Sequence, residues 1–176
     1  YIKRTNISTY RKQRRGGVGT KGTELRTDDF VEHLFVAQTH DYLLVFTHDG
    51  RCFWLKVHEI PEGARAAKGK PIVNLINVSP DTTVKAIVPV KEFTDNEFLM
   101  FCTKDGTVKK TALSEYSNVR STGIKGIKLE DGDELIDVQI TSGTNDVVLV
   151  TRHGLSIRFH EQEARPMGRD TTGVRG

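Results

Sequence analysis

The chain has 176 residues, 36% hydrophobic and 28% charged, which suits one or two ordinary domains and is too apolar for a disordered segment. Its strictly apolar runs are short, as in residues 42–46, which excludes a membrane-spanning helix, and no secretory signal precedes the first strand. The net charge is only +3, and Cys52 and Cys102 both lie inside apolar segments, which reads as buried thiols of a reducing cytoplasm rather than a disulfide framework.

Taken in chain order, the opening Tyr1-Ile2-Lys3-Arg4-Thr5 is strand-like and leads into a glycine-rich basic loop ending at Gly22. Alternating or apolar character then predicts strands at 34–39, 42–46 and 52–57, with a single helical turn in Val57-His58-Glu59-Ile60. A short apolar piece at 72–75 and strands at 85–90, 98–102 and 107–111 follow. Leu113-Ser114-Glu115-Tyr116 reads as another single turn, and 127–129 as another short apolar piece. Strands at 135–141, 147–150 and 155–159 complete the list before a glycine-rich close at Gly176.

These elements repeat. A Thr-x-x-Gly turn recurs as Thr47-His48-Asp49-Gly50, Thr103-Lys104-Asp105-Gly106 and Thr151-Arg152-His153-Gly154, each between two strands. Residues 1–5 match 107–111 in pattern, so the chain reads as starting just after a missing copy of the turn. A period near fifty residues, with four short strands rich in Val, Ile, Phe and Thr, describes a propeller blade. The expected fold is all-β and propeller-like, with four-stranded blades. One incomplete domain of about three and a half blades is expected, with repeats at approximately 1–50, 51–106, 107–154 and 155–176.

Charge follows the same period. Residues 1–22, 51–70, 107–128 and 155–176 hold 21 of the 26 Lys and Arg but 6 of the 23 Asp and Glu. Equivalent positions of a blade recur at equivalent radii, so the basic segments are expected to form a band along one rim. Such a band is the footprint of a polyanion track.

The most distinctive segment is Gln13-Arg14-Arg15-Gly16-Gly17-Val18-Gly19-Thr20-Lys21-Gly22, extended by Arg11 and Lys12 and free of acidic residues. Arginine forks match phosphate oxygens, and glycine lets backbone N–H groups approach a ligand. Gly17-x-Gly19-x-x-Gly22 matches the dinucleotide fingerprint by letter, but Arg-rich sequence stands where that motif needs a strand. Weaker copies occupy the same phase: Arg65 with Lys68 and Lys70, Arg120 with Lys125, and Arg169 with Arg175. We therefore expect Arg14 and Arg15 to anchor a duplex. Lys3, Arg4, Arg11, Lys12, Gln13, Gly16, Gly17, Gly19, Lys21, Arg65, Lys68, Lys70, Lys109, Lys110, Arg120, Lys125, Arg169 and Arg175 complete the DNA-binding set. No catalytic constellation stands out, and the six histidines lack metal-ligand spacing. The aromatics are few and lie mostly on strands, which favours duplex backbone contact over single-strand stacking.

The run Gln13-Arg14-Arg15-Gly16-Gly17-Val18-Gly19 resembles the gyrase-A box of the bacterial DNA gyrase A family. Tyr1-Ile2-Lys3-Arg4 resembles the first strand of that family's C-terminal domain, and residues 161–176 resemble one of its later blades. The resemblance implies a β-pinwheel, a ring whose blades exchange strands, and a role in wrapping duplex DNA for supercoiling by a type IIA topoisomerase. It implies partners in the rest of the gyrase A polypeptide and in the gyrase B polypeptide, a bacterial cytoplasmic location at the nucleoid, and no catalytic residue here. It implies no cofactor for this part, ATP and Mg belonging elsewhere in the holoenzyme. The alternatives are a topoisomerase IV C-terminal domain, whose box is usually degraded, and a propeller that binds proteins.

Overall fold

Each Thr-x-x-Gly turn closes a hairpin, because its glycine supplies a positive φ that other residues resist: +77° at Gly50, +85° at Gly106 and +81° at Gly154. A computed structural model describes residues 1–176 and contains β-strands and short 3-10 turns only. Strands β1 (Tyr42–Thr47) and β2 (Arg51–Lys56) form the first hairpin, and β3 (Val84–Val90) lies on the other side of β1. Strands β4 (Phe98–Thr103) and β5 (Thr107–Ala112) form the second hairpin. The two-residue β6 (Ile124–Lys125) then returns to β2, while β7 (Leu135–Thr141) lies beside β4. Strands β8 (Asp146–Val150) and β9 (Ser156–His160) form the third hairpin, and β10 (Val174–Arg175) returns to β5.

The sheets therefore run β3-β1-β2-β6 and β10-β5-β4-β7, antiparallel throughout, with β8-β9 as a pair. Each four-stranded blade is a local hairpin completed by two strands from farther down the chain. That exchange between successive blades is the propeller-like pinwheel expected from the sequence.

The first blade is buried on both faces, which explains why β1 is a continuous apolar run rather than an alternating one. Leu44 and Phe46 face the second blade, packing with Leu99, Phe101, Leu113, Tyr116 and Val138. Leu43, Val45, Phe53 and Leu55 face the opposite way, toward Ile60 and Ile76. Phe46 is fully buried and meets Phe101 and Tyr116 edge-on, with ring centroids 5.3 Å and 6.0 Å away.

A second set of contacts ties blade to blade. The residue four places after the turn glycine reaches a 3-10 turn of the next repeat. Trp54 Nε1 donates to the Tyr116 carbonyl at 2.9 Å, and Lys110 Nζ donates to that of Glu161 at 3.2 Å. Arg4, the pattern equivalent, donates through Nε to the Ile60 carbonyl at 3.3 Å. Lys110 also pairs with the Glu161 carboxylate at 2.9 Å, both side chains being buried. That carboxylate accepts from the Asn145 N–H at 2.7 Å and the Thr141 hydroxyl at 2.8 Å.

Three expectations need correction. Residues 34–39 form no strand, and Leu34 and Val36 are more than four-fifths exposed. The strands in this phase, β3 and β7, pair with the hairpin before them, whereas 34–39 pairs with no strand. The piece at 72–75 is a 3-10 turn, Ile72–Asn74, and 127–129 is not a strand. The fourth strand of each blade is instead β6 or β10, within what the sequence suggested was loop. The hairpin strands and the single turns at Val57–Glu59 and Leu113–Tyr116 lie within a residue or two of their expected places.

Two measurements check these contacts. Phe46→Ala should lose about 3–5 kcal/mol in urea denaturation, the range for emptying a buried aromatic site. Glu161→Gln should lose about 3–5 kcal/mol, because it strands a buried ammonium. Burial alone pushes the Glu161 carboxyl up, but Asn145, Lys110 and Thr141 outweigh it and hold it below the usual range. Its contribution is therefore present above the unfolded carboxyl value of about 4.3 and lost as pH falls through the lowered folded value. Stability measured from pH 6 down to pH 2 should fall less steeply in Glu161→Gln than in the parent.

Candidate nucleic-acid interface

The strand exchange decides where the basic loops go. The loops after the second and third hairpins cross to the previous blade and end in the short returning strands β6 and β10. Gly123 and Gly173 open β6 and β10 at φ +79° and +114°. A Cβ at Gly123 would strike the Phe53 ring at 2.6 Å, and one at Gly173 would strike the Val108 carbonyl. Only glycine permits that close approach. The strands are then fastened at their ends, where Gly126 N–H donates to the Gly50 carbonyl at 2.8 Å and Gly176 N–H to that of Gly106 at 2.9 Å. In the first repeat, Ile2 and Lys70 exchange both backbone hydrogen bonds at 2.8 Å in the same way.

The crossings bring cations from different repeats together. Lys3 lies against the 61–70 loop and also donates to the Gly22 carbonyl at 3.0 Å. Arg65 Nη1 reaches the Thr9 carbonyl at 3.5 Å. Arg51 lies directly across from Lys125 in the β2–β6 register and donates to the Thr122 carbonyl. Arg169 Nη1 donates to the Lys125 carbonyl at 3.4 Å, and β10 places Arg175 opposite Thr107. A polar hollow of about 430 Å³ lies between Arg120, Lys125 and Arg169, with Ser117 and Asn118 on its wall.

The first loop is held open by its own residues. Gln13 Oε1 accepts the Gly19 N–H at 2.9 Å, and Gly17 N–H turns back onto the Arg14 carbonyl at 3.1 Å. Gly16 and Gly19 both have positive φ. Arg11, Lys12, Arg14 and Arg15 are left exposed and make no ion pair. No strand precedes and no helix follows Gly17 to Gly22, so the dinucleotide reading lacks its structural context.

The candidates divide into three groups. Arg11, Lys12, Gln13, Arg14, Arg15, Gly16, Gly17, Gly19, Lys21, Lys68, Lys70, Arg120, Lys125 and Arg175 are exposed. Lys3, Arg4, Arg65 and Arg169 are half-buried, and the Nε of both Arg65 and Arg169 is enclosed without a hydrogen-bond partner. Lys109 and Lys110 are 0% and 3% exposed, which corrects their assignment as phosphate contacts. Their repeat equivalents are Phe53 and Trp54, a sequence signal that these are interior positions. Arg51 joins the seam although it is not among the residues expected from the sequence; its place directly after a turn glycine is the signal for it.

Besides buried Lys110, four of the candidate cations have carboxylate neighbours. Lys125 pairs with Asp170 at 2.9 Å with both groups exposed, and that contact holds the Asp170 carboxyl below its usual range. Arg169 lies 3.9 Å from Glu115, Lys21 4.0 Å from Glu24, and Arg4 3.5 Å from Glu62. The pairs with both groups exposed, Lys125–Asp170 and Lys21–Glu24, contribute little to stability.

Known proteins are similar to this chain in sequence and in fold. The family model described as DNA gyrase C-terminal domain, beta-propeller, matches residues 1–38, 41–91, 97–142 and 145–176. The DNA gyrase A polypeptide of Halalkalibacterium halodurans is 49% identical over all 176 residues, and that of Clostridium acetobutylicum is 47% identical. Its Escherichia coli counterpart is 46% identical. The chain spans about a fifth of the length of these relatives (20–21%). Among solved structures, a topoisomerase IV C-terminal domain superposes with TM-score 0.86 at 32% identity, covering all of this chain and 53% of that one. A DNA gyrase A C-terminal domain superposes with TM-score 0.68 at 22% identity, over 56% of its length, a likeness of fold. With its whole length aligned to such polypeptides and its strand-exchanged blades in place, the chain belongs to the DNA gyrase C-terminal domain, beta-propeller family.

Proposed function

We propose that this chain wraps duplex DNA along the seam where its basic loops cross between blades, as part of a gyrase that introduces negative supercoils. The observation that carries this reading is the meeting of cations from successive repeats: Lys3 with the 61–70 loop, Arg51 with Lys125, and Lys125 with Arg169. Bending 20–30 base pairs by 40–90° costs on the order of 1–6 kcal/mol. Successive phosphate contacts offset that cost through counterion release. Arg14 and Arg15, exposed and unpaired on a loop braced by Gln13, serve as the anchor. The exposed lysines and arginines of the later loops continue the track, and base reading is weak because the contacts go to phosphate.

On this reading the chain carries DNA and does not cut it. Strand cleavage belongs to the rest of the gyrase A polypeptide, and ATP hydrolysis with its Mg to the gyrase B polypeptide. The whole chain acts as one domain of repeats at approximately 1–50, 51–106, 107–154 and 155–176, working at the bacterial nucleoid. No helix is long and apolar enough to cross a membrane. A topoisomerase IV assignment draws on the higher TM-score to that enzyme's domain, whereas the intact Gln13 to Gly19 box favours gyrase. Supercoiling of relaxed plasmid by the intact enzyme decides between them.

The wrapping test uses the full-length protein. Arg14→Ala/Arg15→Ala should abolish the linking-number shift in topological footprinting while the circular dichroism spectrum stays unchanged. The slope of log affinity against log salt should fall by about 0.9 for each phosphate contact removed. An unaltered footprint in the folded variant rejects the anchor, and weak DNA binding at low salt in the parent favours a protein-binding propeller.

A further inference from the structure

Lys109 is an unusual core residue. Its side chain is fully buried, yet its ammonium has no carboxylate partner. It donates instead to three backbone carbonyls: Gly126 at 2.6 Å, Arg169 at 2.6 Å and Gly168 at 3.3 Å. It lies 5.0 Å from the centroid of the Phe101 ring. An ammonium has three donors, so the set is saturated. The carbonyls come from different loops: Gly126 ends the one carrying Arg120 and Lys125, and Gly168 and Arg169 belong to the one carrying Arg175.

The same device occurs once more, at the equivalent position. The Lys3 ammonium lies within hydrogen-bond distance of four carbonyls, Gly22 at 3.0 Å, Ala67 at 2.9 Å, Ala64 at 3.2 Å and Arg65, and can donate to three of them at a time. These carbonyls also come from two loops, the one after Arg14 and Arg15 and the one carrying Lys68. In the repeat between them the position is Phe53, covered by the Arg51 guanidinium at 4.9 Å. Two independent copies of one geometry, each joining two loops, argue against an accident of packing.

We infer that Lys109 and Lys3 are positioning residues: their side-chain nitrogens hold neighbouring DNA-contacting loops at a fixed spacing. The inference rests on the wrapping reading for its consequence, but the joining of loops stands without DNA. The groups around Lys109 are Arg169 and Asp170 from one loop, Lys125 paired to Asp170, Glu115, the Tyr116 hydroxyl that shares the Gly126 carbonyl at 2.9 Å, and the buried Cys52 thiol beside Tyr116. Burial first, and then Arg169, push the ammonium down to about 7, against the pull of Asp170 and Glu115. The unfolded value is about 10.4. Between these two values the unfolded chain binds the extra proton, so the Lys109 contribution to stability rises with pH. An opening that hydrates Lys109 restores the ordinary ammonium, so the closed loops gain on the open ones as pH rises through this window.

The experiment compares the intact protein with Lys109→Met, which keeps the length of the chain and removes the donors. Amide protection of 118–126 and 165–173, corrected for intrinsic exchange rate, is measured without DNA at pH 6 and pH 8.5. Duplex bending is followed by end-to-end energy transfer. In the parent, protection in both loops should rise with pH, because the closed form holds the Lys109 proton less tightly than the opened one. Lys109→Met should lack that rise and show less protection than the parent at pH 8.5, with a shallower bend and an unchanged salt slope. Flat protection in the parent overturns the inference without recourse to any variant. So does parent-like protection in Lys109→Met, or a salt slope lowered by about 0.9, which would make Lys109 a direct phosphate contact. A parent that does not bend DNA removes the wrapping reading, while loop protection still decides whether Lys109 joins the loops.

Discussion

The returning strand is the constraint on which the rest depends. A hairpin of this length is marginal alone. It becomes a blade only when strands from farther along the chain cover both of its edges. The covering strand on the β2 or β5 side is two residues long, so it can be held only by a very close approach, which Gly123 and Gly173 allow. That closeness drags the loop before it across the seam. Cations from separate repeats meet because backbone must meet backbone there.

Much of this was legible in the sequence. Turn glycines and apolar runs locate the three hairpins, since both signals are local and strong. The returning strands were hidden in basic loops because two residues carry no periodicity, and because their partners lie some seventy residues earlier, as Arg51 does from Lys125. Residues 34–39 carry a strand pattern without a strand, since β structure needs a partner that composition does not supply. Exposure of Arg14, Arg15 and Lys125 followed from loop and returning-strand chemistry. The burial of Lys109 and Lys110 did not follow from charge counting, which is blind to the side of the sheet a residue faces. Aligning them with Phe53 and Trp54 reveals their environment.

The two neighbouring lysines solve the problem of a buried charge in different ways. Lys110 meets a carboxylate that is itself fully hydrogen-bonded, so the pair is satisfied and specific. Lys109 meets only carbonyl dipoles, which stabilise a cation less and leave its proton easier to remove. One strand thus carries a permanent blade tie beside a sensitive one. The +3 net charge conceals both, since neither is available to a ligand.

Trp54 is the chain's single tryptophan, and it sits where two blades touch. Its indole is stacked with Phe93, close to Tyr42, and its N–H is spent on the far side of the seam. Intrinsic fluorescence of this protein is therefore a local gauge of one joint, not an average over the molecule. Separation of those two blades would admit water to the indole and red-shift its emission, so the molecule carries its own optical reporter of joint opening without any added label.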